Sequence, residues 1–64
     1  METLEQTILD AKRIMNKTGM GFATIWETET KKSKTYGFNF DKKEIGYSSE
    51  EYGVKRAVVH IIQK

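Results

Sequence analysis

The sequence predicts an α+β domain of order α-β-β-β-α, a three-stranded antiparallel meander with two helices packed on one face. Three patterns predict it. Leu4, Ile8, Ala11 and Met15 recur at i, i+4, i+7 and i+11, one stripe of a helix. Tyr36, Phe38 and Phe40 alternate with Gly37, Asn39 and Asp41 at the period of a strand. Val54, Ala57, Val58, Ile61 and Ile62 fall at i, i+3, i+4, i+7 and i+8, which is again helical spacing. The length of 64 residues allows one small domain, 1–64, with no linker, repeat or low-complexity tract.

The first helix runs from about Leu4 to Lys17. Thr3 and Gln6 stand at capping-box spacing, and Gly19 is a natural left-handed stop. Ile14 widens its apolar stripe, whereas Leu9 points away as an isolated apolar group on a polar face. From Phe22 to Thr30 the composition turns β-branched and aromatic, and the polar stretch Lys31, Lys32, Ser33 and Lys34 separates this strand from the next. The loop lacks an Asn-Gly or Asp-Gly pair, so two registers remain open: Ala23 and Ile25, or Phe22 and Trp26, share the face of Phe38 and Phe40. Asp41, Lys42 and Lys43 form a second turn, leading to a short strand from Glu44 to Tyr47. Ser48 with Glu51 then has capping-box spacing for a second helix through Ile62, with Gly53 weakening its first turn. The expected core is Phe38, Phe40, Ile8, Met15, Val58 and Ile62. The opposite sheet face keeps a few large side chains, Trp26 or Phe22 among them.

A chain of ~60 residues buries only about 60% of the surface it exposes when unfolded, so its stability is expected at ~3–5 kcal/mol. With no cysteine there is no disulfide to raise it, and one histidine cannot close a tetrahedral zinc site. The nearly uncharged apolar run from Ala57 to Gln63 is far shorter than the ~20 residues of a bilayer span. Glu2 and Glu5 stand where the basic region of a signal peptide would be, which points to a cytoplasmic protein.

Catalysis finds little support. His60, the sole histidine, flanks the apolar stripe of the second helix without a positioned partner. Glu27 and Glu29 share one side of a strand, yet a domain this small can hardly build a cleft around them. Gly19 and Gly21 are too few for a phosphate loop, and the acidic residues lack calcium-loop spacing. The expectation is a non-enzymatic protein with no cofactor, no metal and no small-molecule substrate.

Two function classes remain. The first is a protein-interaction module, a regulator or inhibitor that binds a larger protein or a second copy of itself through Trp26, Phe22 and Leu9. The second is a nucleic-acid binder. Eleven basic and nine acidic side chains leave a net charge of only +2, so placement matters more than the total. Lys31, Lys32 and Lys34 project from a hairpin tip, and Lys12, Arg13 and Lys17 add charge to the first helix. Lys42 and Lys43 lie at the far end of the second strand, roughly 25 Å from the tip at ~3.3 Å per residue. Lysine-rich turns also serve simply to keep an edge soluble.

The α-β-β-β-α order resembles the double-stranded-RNA-binding domain, which touches RNA with its first helix, first hairpin loop and the start of its last helix. The resemblance implies contacts from Lys12, Arg13 and Lys17, from Lys31, Lys32 and Lys34, and from the turn 49–55. The chain departs from that family at Glu50 and Glu51, where a lysine pair is expected, and in lacking its loop residues and alanine-rich last helix. The Gly46-Tyr47-Ser48-Ser49 segment also looks like that of a small bacterial β-β-β-α family without an assigned function.

Overall fold

A computed structural model describes residues 3–64. Met1 and Glu2, the latter part of the acidic start, lie outside the described residues. The elements are α1 (Leu4–Thr18), β1 (Phe22–Glu29), β2 (Lys34–Asn39), β3 (Ser48–Glu51) and β4 (Val54–Gln63). The class is α+β, with one helix and a four-stranded antiparallel sheet of order β2-β1-β4-β3.

Helix α1 forms as its sequence dictates. The Thr3 hydroxyl accepts from the Gln6 N–H at 3.1 Å, and Gly19 (φ 77°) closes the other end by donating its N–H to the Met15 carbonyl at 2.8 Å. One face buries Thr7, Ala11 and Met15.

The second half differs from the sequence reading. The expected second helix is strand β4, its capping box Ser48–Glu51 is strand β3, and the expected strand at Glu44–Tyr47 is irregular chain turning at Gly46 (φ 96°). The order is therefore α-β-β-β-β, with four strands instead of three. The resemblance to the double-stranded-RNA-binding domain, which depends on a final helix, ends with it.

Physical causes for the strand are local. Glu51 pairs with Val54 across a two-residue turn in which Tyr52 (φ 52°) and Gly53 (φ 76°) both have positive φ. This is the backbone handedness that suits a tight hairpin, so Gly53 ends one strand and starts the next where a helix would have been weakened. The helical spacing within β4 comes from a bulge. Ile25 pairs with His60 but Trp26 pairs with Val58, leaving Val59 extra, and the alternation of faces slips by one residue at that point. Val58 and Ile61, three apart, thereby lie on one sheet face. Both faces of β4 are partly buried, which supplies the remaining apolar positions.

The register left open by the β1–β2 loop is settled by Ile25 pairing with Phe38. Ala23 and Ile25 face the helix and pack with Ala11, Met15 and Ile62 as the buried core, with Leu4, Ile8, Met20, Phe38, Phe40 and Val59 around it. Val58, expected in that core, is buried on the opposite face, where it pairs with Trp26.

Two stability outcomes follow. Ile25 is fully buried, and Ile25→Ala removes contacts worth about 2–5 kcal/mol, comparable to the whole stability of a chain this size. Circular dichroism should find this variant largely unfolded at 25 °C. Tyr52 is wholly exposed and holds a left-handed backbone that costs a bulky residue roughly 1 kcal/mol. Tyr52→Asn, which tolerates that conformation, should raise the melting temperature by about 4–8 °C.

Candidate protein-interaction surface

Helix α1 covers the β1 and β2 side of one sheet face and leaves the opposite face without a helix. That face carries Phe22, Thr24 and Trp26 of β1, Asn39 of β2, and Arg56, Val58 and Ile61 of β4, because residues paired across the ladders share a side. The chain from Phe40 to Tyr47 joins the β2 edge to the β3 edge and so must traverse the width of the sheet. Two contacts pin its start: the Thr24 hydroxyl donates to the Asp41 carbonyl at 2.6 Å, and the Asp41 N–H donates to Asn39 Oδ1 at 3.2 Å. Two more pin its end, where Gly46 N–H donates to the Val58 carbonyl at 3.2 Å and Val58 N–H donates to the Tyr47 carbonyl at 2.9 Å.

Trp26 organises the centre of this face. Its indole N–H donates to Asn39 Oδ1 at 2.9 Å, the Arg56 guanidinium lies 4.6 Å from the ring centroid, and Tyr47 meets it edge-on at 5.8 Å. Only 6% of Trp26 remains exposed. It therefore supports the surface from beneath, while the accessible apolar groups are Tyr47 (43% exposed) and Ile45 (64% exposed), with Phe22 half-buried at the start of β1. Lysines sit over two of the rings, Lys43 at 4.7 Å from Tyr47 and Lys42 at 5.9 Å from Phe22.

Of the residues singled out in the sequence, Phe22 and Trp26 thus share one face. Leu9 does not join them: it is exposed on α1, on the other side of the sheet. Sequence reading missed Ile45 and Tyr47, which it assigned to a strand. The detectable signal was two large apolar residues flanking Gly46 in an otherwise charged connection.

The lysines are distributed differently. Thr30 shapes the β1–β2 tip, its hydroxyl accepting from the N–H groups of Lys32 and Ser33 at 3.3 and 3.2 Å. Lys31 and Lys32 point outward there. Lys34 is instead held by Glu27 at 3.7 Å and Glu29 at 3.5 Å, which accounts for the paired carboxylates. Lys17 stands at the end of α1, joined by a short link to the start of β1, whereas Lys31 and Lys32 lie past its end. Arg13 pairs with Asp10 at 4.0 Å and Lys12 is exposed on the helix. The structure does not gather the two basic groups into one patch. His60 is exposed beside the Val59 bulge. Among the described residues no cluster of His, Cys, Asp or Glu could hold a metal ion, and no helix is long and apolar enough to cross a membrane.

No family model matches the chain, and no curated protein or solved structure matches it either.

Glu27, then Glu29, raise the Lys34 ammonium above the ordinary lysine value, by their charge and by the Glu29 hydrogen bond. A raised folded-state value means that the pairing favours the fold below the ordinary lysine pKa and is lost as pH rises through the higher one. A ¹³Cε titration should place Lys34 above the ordinary value, and Glu27→Gln with Glu29→Gln should return it there.

Proposed function

We propose that the chain is a small non-enzymatic protein-interaction module that binds a larger protein through the sheet face opposite α1. One observation carries this reading: around the buried Trp26, that face presents the exposed side chains of Ile45 and Tyr47 on a connection anchored to the sheet. Apolar groups held on a fixed backbone lose little freedom on binding, which is what makes an anchor effective. Nucleic-acid binding through the hairpin tip and α1 is the weaker reading, because Lys34 is already neutralised by two carboxylates and the two lysine groups lie apart.

The test is retention of protein by the immobilised chain from nuclease-treated lysate. Ile45→Asp should abolish retention of whatever the wild type holds, since Ile45 is exposed and the fold does not depend on it, while Leu9→Asp should leave it intact. Retention that survives Ile45→Asp but fails in Leu9→Asp would move the surface to the helix. Retention seen only from a parallel lysate without nuclease would favour nucleic acid. Size-exclusion chromatography with light scattering distinguishes a second copy of the chain from a different protein.

A further inference from the structure

Beside the anchors, the face carries a groove of about 640 Å³ between the crossing chain and the ends of β1 and β4. Its lining has apolar groups from Phe22 of β1 and Ile61 of β4, with the buried Thr24 paired opposite Ile61, and cationic groups from Lys42, Lys43 and Lys64. Glu44 is the one acidic residue in the lining. A second, smaller groove adjoins at Lys64 on the helix side and brings Lys12 to the same corner. Three lysines thus face one acidic residue here, and no described carboxylate pairs with Lys42 or Lys43 as two do with Lys34 at the hairpin tip.

We propose that this groove receives an acidic segment of the partner protein, one carrying an aliphatic or aromatic side chain between its carboxylates. The inference rests on the interaction reading above and adds the chemistry of the partner. Charge complementarity argues for the acidic flanks: three lysine ammoniums can reach dispersed carboxylates from flexible stems. The apolar lining argues for the embedded side chain, which would replace water over Ile61 and Phe22. A nucleic-acid strand fits less well: base stacking needs successive aromatic faces, and Phe22 is the one aromatic residue in the lining. Backbone pairing is not the mode either, because β1 and β4 are the two central strands and have no open edge.

The experiment is an amide-shift titration of the full ¹⁵N-labelled chain with a synthetic peptide, Glu-Glu-Leu-Glu-Phe-Glu-Glu. Parallel arms use the same peptide with serine for leucine and phenylalanine, a lysine-for-glutamate version, and an oligothymidylate of matched length. The acidic apolar peptide should shift the amides of Phe22, Thr24 and Ile61, and Lys42→Glu with Lys43→Glu should weaken it at least tenfold. Both lysines are exposed, so an unchanged spectrum outside the groove confirms that the variant is folded. Equal binding by the serine peptide, preference for the oligothymidylate, shifts centred on Lys31 and Lys32, or no shifts at all would each overturn the proposal. The two readings fail separately. If the double variant still retains the wild type's protein partner while Ile45→Asp does not, the groove is wrong and the interaction surface stands.

Discussion

The Trp26 indole is the constraint on which the rest of the molecule depends. It occupies the centre of the sheet face that no helix covers, and it touches every other strand or the chain leading into it: Asn39 at the end of β2, Arg56 on β4, and Tyr47 immediately before β3. A four-stranded sheet with a helix on one side has a hydrophobic deficit on the other. Here a single large ring, with Val58 beside it, supplies a second small core. Its N–H is satisfied by an oxygen that also accepts from the Asp41 backbone, so burial of the ring and the path of the crossing chain are set by the same side chain, Asn39.

The first half of the fold was legible because each of its signals is local. A cap residue, an apolar stripe and a left-handed glycine specify α1 within its own length, and strict alternation specifies β2. The second half was misread because the bulge at Val59 breaks the period of two and leaves apolar residues three and four apart, the spacing that ordinarily identifies a helix. β-branched composition from Val54 to Ile62 pointed to a strand, and Tyr52-Gly53 is a hairpin turn whose first residue is unusual. Both clues were present, but neither outweighs a periodicity whose true cause is a pairing partner far away in sequence.

The surface was partly legible for a similar reason. Phe22 and Trp26 were recognised as large side chains on an uncovered face, but whether a ring is presented or buried depends on what crosses above it. That crossing chain places Tyr47 and Ile45 at the surface and puts Trp26 beneath it. Charge was the least readable property of all. Lys34 and Lys42 look alike in a sequence of mixed lysines, and only the fold shows that one faces two carboxylates and the other the Phe22 ring.

The strand order has a consequence for how the chain acquires its structure. β4 lies at the middle of the sheet, yet it follows the other described elements along the chain, and it pairs Gln63 with Phe22 across about two thirds of the described residues. During synthesis β1 and β2 can meet as a hairpin, but the sheet has no centre and Trp26 no roof until β4 has left the ribosome. A chain of this kind closes in one late, long-range step, and loop closure makes such steps slow relative to a helical bundle of the same size. Until then the inner edge of β1 remains unpaired, so the nascent protein passes through a stage in which its most adhesive strand is open to whatever is nearby.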